Sequence, residues 1–200
     1  FVTWSKTPAA TDSGFSSDDP ILGVLTSTSN LQFRANAANN NHTIAWQVVE
    51  FTNAADINVQ TGSTALMGAT SSVDVALGTA VNTARTFVLD GYRSPDSGND
   101  IGERMLRAQL LNANTLRFDR DRTGDNIDEI VWQAVEIKDG TTVQHASEHF
   151  NNNDPQNTVA ITAVDTTRAI AFASVQAVAG QSLGMSNYIS GNILGPGSFT

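Results

Sequence analysis

Apolar and polar residues alternate along most of the chain with the period of two that is typical of β-strands. The run TIAWQVVEF around Trp46 and the run SVDVAL from Ser72 both follow this pattern. Helical periodicity is not sustained. The one helix-like stretch, IGERMLRAQLL from Ile101, has a counterpart, ILGVLTST, that follows Pro20 and is rich in β-branched residues. The pattern therefore predicts an all-β chain.

One part of the sequence occurs twice with a period of about 85 residues. The run around Trp46 returns as EIVWQAVEI around Trp132, and INVQ ending at Gln60 returns as TTVQ ending at Gln144. An alternating run follows each copy, first SVDVAL and later TVAITAV. We call this part the second half of the repeat.

Another part, the first half of the repeat, occurs three times. It begins as FVTWSK at Phe1, as FVLDGYR at Phe87 and, more weakly, as AFASVQ at Ala171. Its later portion spans Leu22–Phe33, Leu106–Phe118 and Tyr188–Phe199. The chain thus contains three first halves but only two second halves.

This repeat length suits a small sandwich of short strands separated by turns. The sequence predicts two tandem immunoglobulin-like antiparallel β-sandwich modules plus an extra half-module. Residues 1–26 would be the extra half and its tether, followed by modules at 27–111 and 112–200. The alternative places the extra half at the C-terminus, from about residue 171. Within the second module, Asp139-Gly140 predicts a hairpin.

The charge of the chain excludes some partners. The net charge is −9, the sequence pI is about 4.5, and only 11 residues are Lys or Arg. Nucleic acids and anionic membranes bind clustered basic residues, so we expect neither as a partner. The chain contains no cysteine, and no apolar run reaches the ~18 residues of a membrane span. We therefore expect no disulfide and no membrane insertion.

The histidines do not predict an enzyme. His145, Glu148 and His149 match the HxxEH pattern of some zinc proteases. The motif follows a predicted strand, where the two histidines would lie about 13 Å apart, too far for one zinc ion. The chain has neither a GxSxG nor a GxxxxGK motif. We expect no catalytic activity and no bound cofactor.

A metal site is one interpretation of the acidic loop after residue 118. Asp119, Asp121 and Asp125 surround a glycine turn, as the ligands of calcium loops do. The twelfth loop position is Ile130, where an EF-hand needs glutamate. The alternative is a solvated loop in which the acids pair with neighbouring arginines. The sequence therefore gives the hypothesis of a calcium site at these three residues.

Two tryptophans mark the strongest strands of the repeat. Trp46 and Trp132 occupy the same repeat position in the most apolar strand. Such residues anchor the cores of sandwich domains, so we predict both as core anchors. The alternative is a platform for a ligand.

An unmatched half-repeat cannot pair all its backbone groups or cover its apolar face. We expect it to bind another copy of the chain by β-strand addition. The predicted interface residues are the large apolar side chains within residues 1–26, namely Phe1, Val2, Trp4, Leu22, Val24 and Leu25. The rival donor is the tail from about Ala171. A head-to-tail contact that does not close into a ring propagates as a filament.

The motif IAWQVVEF, followed by an xVQ strand and FVLxxYR, resembles tandem sandwich repeats of secreted bacterial proteins. With its unequal halves, the chain also resembles extracellular fibre subunits that polymerise by strand complementation, such as pilins. The resemblance implies a fibre protomer outside the cell whose partner is itself. Two alternatives are a spacer or adhesion module of a larger surface protein and a phage or virion decoration protein.

Overall fold

A computed structural model describes residues 1–7, 15–96, 98, 100–149, 157–178, 180 and 198–199. Within these residues the chain is all-β, with no α-helix, and every strand pairing is antiparallel. The strands are β1 (Val2–Thr7), β2 (Leu22–Ser27), β3 (Asn30–Arg34), β4 (Thr43–Val48), β5 (Ile57–Leu66), β6 (Ser72–Ala76), β7 (Thr86–Arg93), β8 (Arg107–Asn112), β9 (Thr115–Asp119), β10 (Ile127–Ile137), β11 (Val159–Ala160) and β12 (Ser198–Phe199). Short 3₁₀ turns lie at Ala54–Asp56, Thr83–Arg85 and Ile101–Glu103.

The centre of the chain forms two packed layers of three strands each, which we call the central sandwich. One sheet has the order β5-β10-β7 and the other β6-β9-β8. Alternating apolar residues from both sheets fill the space between them. The buried core consists of Leu66, Leu77, Val81, Leu106, Leu116, Phe118, Ile127, Ile130, Trp132 and Ala134.

Strand β10 is the best-protected strand because it has neighbours on both edges and on both faces. Its Trp132 faces the core, while Val135 on its other face is also fully buried. Nine positions pair with β5 and eight with β7. Such double coverage explains why this strand is an almost continuous apolar run rather than a strict alternation.

The N-terminal third repeats part of this architecture, and we call it the N-terminal half-sandwich. It contains two pairs, β1-β4 and β2-β3. Trp4 lies opposite Trp46 on β1-β4, as Asp90 lies opposite Trp132 on β7-β10. The β2-β3 hairpin likewise has the register of β8-β9, including the irregularity before its turn. The repeat in the sequence is therefore a repeat in strand register.

Polar contacts join the N-terminal half-sandwich to the central sandwich. The side-chain oxygen of Gln133 accepts a hydrogen bond from the Val2 N–H at 2.9 Å, and its nitrogen donates to the Val2 carbonyl at 3.1 Å. Glu129 on β10 binds Arg34 at 2.7 Å and Arg93 at 2.9 Å. These contacts hold the half-sandwich against the outer face of β10.

The C-terminal third carries one recognisable piece of the same architecture. Val159 pairs with Phe199 on β11-β12, which is the repeat counterpart of Val73 with Phe118 on β6-β9. Residues 141–149, the counterpart of β5, form no strand. A strand needs a partner, and the chain supplies β10 as the partner of β5 but no third copy of that strand within the described residues.

Two details differ from the sequence-based interpretation. The Asp139-Gly140 turn forms, with Gly140 at φ 97°. The predicted hairpin does not form, because residues 141–149 do not pair with β10. The residues on either side of the predicted module boundary at 111/112 belong to one hairpin, β8-β9. The immunoglobulin-like division into 1–26, 27–111 and 112–200 stays a prediction.

Candidate assembly edge

The two copies of the tryptophan strand differ in their neighbours. β10 lies between β5 and β7, whereas β4 pairs with β1 only. The other edge of β4 has no partner strand among the described residues. We call this edge, with the side chains of β4, the β4 edge. Unpaired N–H and C=O groups on a sheet edge are a template for another strand.

Side chains on β4 are exposed where their counterparts on β10 are buried. Trp46 is 56% exposed and Trp132 is 7% exposed. Val48 is 43% exposed, whereas its counterpart Ala134 is fully buried. The prediction of Trp46 as a core anchor is therefore wrong for the single chain, because the strand that would cover it is not part of the half-sandwich. Trp132 does lie in a core.

The covering strand of Trp132 identifies what β4 lacks. Gly62 on β5 lies directly opposite Trp132. A Cβ atom on Gly62 would overlap the indole ring. Hence the ring lies across the backbone of β5, and a small residue is needed there. Trp46 presents the same ring on β4 with no such backbone above it.

The second layer of the half-sandwich is open in the same way. β9 has β6 on one edge and β8 on the other, whereas β3 pairs only with β2. Leu110 on β8 packs against the core, but its counterpart Leu25 is 47% exposed. The half-sandwich thus lacks one strand in each of its two layers, namely the counterparts of β5 and β6.

The structure separates the six predicted interface residues. Val2 and Leu22 are buried within the chain, while Val24 and Leu25 line an open groove of about 340 Å³ beside the central sandwich. Phe1 meets Phe87 edge to face at 5.4 Å. Trp4 lies edge to face with Phe33 at 6.0 Å. Of the six, Leu25 is the one with an exposed side chain.

The N-terminal segment is already paired within its own chain. Phe1 and Val49 exchange two backbone hydrogen bonds of 2.9 Å, which extends the β1-β4 pair by one residue. In addition, Gln133 holds the backbone of Val2. The first strand therefore acts as an internal element of the half-sandwich.

Two of the three predicted calcium residues lie against arginines. Asp119 forms a bidentate pair with Arg107, with N···O distances of 3.1 and 2.7 Å, and Asp125 lies 3.1 Å from Arg104. Within the part of the chain that the structure describes, no three acidic or histidine side chains converge on a metal position. The calcium site stays a prediction, and this geometry does not favour it because guanidinium groups lie against Asp119 and Asp125. Asp121 also has an interaction partner.

Two buried arginines form a cluster that the sequence did not predict. Arg104 is fully buried and Arg120 is 2% exposed. Arg120 donates to the backbone carbonyls of Met67, Thr70, Glu103 and Asp125. Burial lowers the pKa of Arg120, against the nearby acidic groups that raise it. The cluster ties three loops together at one end of the central sandwich.

A buried carboxylate organises the loop before β4. Asp18 is fully buried and accepts hydrogen bonds from the Ser16 hydroxyl and the Asn40 N–H, with His42 at 3.4 Å. Burial alone would raise the pKa of Asp18. The bonds from Ser16, the backbone, Asn40 and His42 outweigh that effect and hold the pKa at about 2. These bonds fix the entry of the chain into β4.

The HxxEH residues form no helix. His145 lies in the extended stretch after β10, where its Nε2 is 3.0 Å from the Thr83 carbonyl. His149 and Glu148 are exposed in the same stretch. These residues do not create a metal site among the described residues.

The comparisons with known proteins do not identify a family. No protein-family model matches the chain, and neither the curated proteins nor the solved structures contain a match. Among the described residues, no helix is long and apolar enough to cross a membrane. The geometry of the β4 edge is therefore the main guide to function.

Proposed function

We propose that this chain is the structural protomer of an extracellular fibre, assembled head to tail by β-strand addition between copies. The observation behind this proposal is the contrast between Trp132, which β5 covers, and Trp46, which is 56% exposed and has no covering strand among the described residues. An exposed strand edge beside exposed large apolar side chains is the usual substrate of strand addition.

The position of the β4 edge supports a head-to-tail contact. The open half-sandwich is N-terminal, and the chain's second copy of the β5 and β6 sequences is C-terminal. The donating and accepting surfaces therefore differ. A contact between different surfaces repeats along a line unless its rotation closes a ring.

The test compares two lysine substitutions on equally exposed apolar side chains. Trp46→Lys places a charge in the proposed contact. Met67→Lys is the matched control, because Met67 is 55% exposed and directly follows β5, outside the β1-β4 pair. Negative-stain electron microscopy and sedimentation velocity measure assembly, and circular dichroism verifies folding.

We expect filaments from the wild type and from Met67→Lys but only folded monomer from Trp46→Lys. A wild type that remains monomeric at high concentration contradicts the fibre proposal and favours a spacer or adhesion module. Filaments from Trp46→Lys contradict the role of the β4 edge.

A further inference from the structure

We infer that the partner of the β4 edge is a second copy of this chain, whose residues 141–149 pair with β4 and whose residues 157–163 pair with β3. This inference rests on the proposed function and names its contact. In the central sandwich, β5 and β6 together complete the sheets that contain β10 and β9. Residues 141–163 are the second copy of the β5–β6 segment.

The register of the first layer follows from the repeat. In the central sandwich Gly62 lies opposite Trp132. The repeat equates β5 with residues 141–149 and β10 with β4. The same register puts Ala146 opposite Trp46. Alanine is the smallest residue after glycine, but its methyl group requires the exposed Trp46 ring to take another rotamer than Trp132, whose ring a Cβ in the opposite position would overlap.

The second layer is complementary in the same register. The pairing of β6 with β9, moved by one repeat, puts Val159 opposite Phe33 and Ile161 opposite Leu31. All four side chains are apolar, and apolar pairs directly opposite each other stabilise a sheet. One segment would thus close both open layers of the half-sandwich at once.

The described parts of the donor segment keep one link that joins β5 to the chain after β6. Gln60 on β5 donates to the Thr79 carbonyl at 2.8 Å and accepts from the Thr79 N–H at 3.0 Å. Gln144 forms the same two bonds with Thr162, at 2.9 and 2.7 Å. The segment keeps this link although residues 141–149 have no strand partner in their own chain. A preorganised segment loses less conformational entropy on binding.

The third copy of the first half of the repeat contains β12, which pairs with the donor segment before assembly. Val159 pairs with Phe199 of β12 in the position that Phe33 of the neighbour would take. β12 is therefore a substitute for the neighbour's β3. Assembly exchanges β12 for β3, while residues 141–149 gain β4 as a partner.

The cysteine-free sequence allows an unambiguous crosslinking test. The inferred register places Ala45 opposite Ser147, and both residues are exposed. Opposite residues in a sheet have the separation that a disulfide needs. We expect the full-length double variant Ala45→Cys/Ser147→Cys to form covalent multimers under mild oxidation, seen as a ladder on non-reducing gels.

Two controls fix the interpretation. The pair Ala45→Cys/Thr142→Cys moves one cysteine five residues, or about 16 Å, out of register, and should give no ladder. An equimolar mixture of the single variants Ala45→Cys and Ser147→Cys should stop at covalent dimers. A ladder from the out-of-register pair would overturn the inferred contact.

A second pair tests the exchange of β12. Gln32 and Ala160 are exposed and lie opposite each other in the inferred β3–β11 pairing. Gln32→Cys/Ala160→Cys should also give a ladder. If only the first pair gives one, β12 stays in place and the exchange is wrong.

Microscopy of the same samples separates the two proposals. Filaments without either ladder overturn the inferred partner segment but leave the fibre function intact. Monomers without a ladder overturn both. Filaments with both ladders support both.

Discussion

Asp90 lies directly opposite Trp132 on the β7-β10 pair, in the place that Trp4 takes opposite Trp46. Its neighbours on the same face of β7, Val88 and Tyr92, pack against the core. A carboxyl group therefore points between the two sheets of the central sandwich. Burial raises the pKa of Asp90 to about 7.

The stability of the central sandwich should depend on the protonation of Asp90. A pKa raised above the unfolded value of about 4 means that the folded chain binds the proton more tightly. The favourable contribution is complete below pH 4 and is lost as the pH rises towards 7. We expect Asp90→Asn to have a higher melting temperature than the wild type above pH 7, and a similar one at pH 4. A parallel pH dependence of the two proteins would contradict this.

Asp18 should have the opposite effect. Its folded pKa of about 2 lies below the unfolded value. Its contribution is therefore present above about pH 4 and is lost as the pH falls through 2. We expect Asp18→Asn to reduce the free energy of unfolding at pH 7 by about 1–3 kcal/mol, with little difference at pH 2. Urea unfolding at both pH values measures this free energy difference. Asp74→Asn, at an exposed carboxylate, is the control.

The two repeat tryptophans should differ in their contribution to the stability of a single chain. Trp132→Ala removes a buried ring and should cost about 3–5 kcal/mol. Trp46→Ala removes an exposed ring and should cost about 1 kcal/mol or less. Urea unfolding under conditions where the wild type is monomeric tests this. Equal losses would mean that Trp46 lies in a core of its own chain.

Arg120 should be essential to the loop cluster. Arg120→Met leaves its buried carbonyl partners without a donor, so we expect a loss of at least about 3 kcal/mol. Arg120→Lys should rescue only part of that loss, because an ammonium group cannot reach all the carbonyls in the guanidinium plane. Arg117→Met, at an exposed ion pair with Asp74, is the control. Full rescue by lysine would contradict the geometric argument.

Calcium should not stabilise the chain. Ligands that bind the folded state raise its melting temperature, but Asp119 and Asp125 are already bound to arginines. We expect the same melting temperature with calcium and with a chelator. A rise with calcium would mean that the Asp119–Arg107 pair opens to admit the ion.

The alternation of apolar residues predicted most of the strands, including β2 and β8. The helix-like stretch begins with a 3₁₀ turn at Ile101–Glu103 before β8, and residues 141–149 form no strand. The repeat also contained the register, since equal spacing gave equal pairing in β1-β4 and β7-β10. The alternation of apolar and polar residues does not indicate which distant strands pair. It therefore gave no sign that β10 lies between β5 and β7, or that β4 has only one neighbour.

The site was harder to predict for a related reason. A large apolar residue in a strong strand normally lies in a core, so Trp46 was assigned to one. Its exposure depends on which strands the half-sandwich contains. Arginines normally lie on the surface, and nothing local marks Arg104 and Arg120 as buried. The unequal number of half-repeats was the sequence signal of an incomplete sandwich, but it indicated residues 1–26 or the tail from about residue 171 rather than β4.

The Arg120 cluster has a consequence for the surroundings that this chain tolerates. Many secreted domains fix their loops with calcium, and then depend on the free ion in the medium. Here the cation is covalently part of the chain, and a guanidinium remains charged at any physiological pH. Loss of divalent ions, chelators or mild acid would leave these loops in place. The positive charge that holds these loops together therefore does not depend on the ions in the surrounding solution.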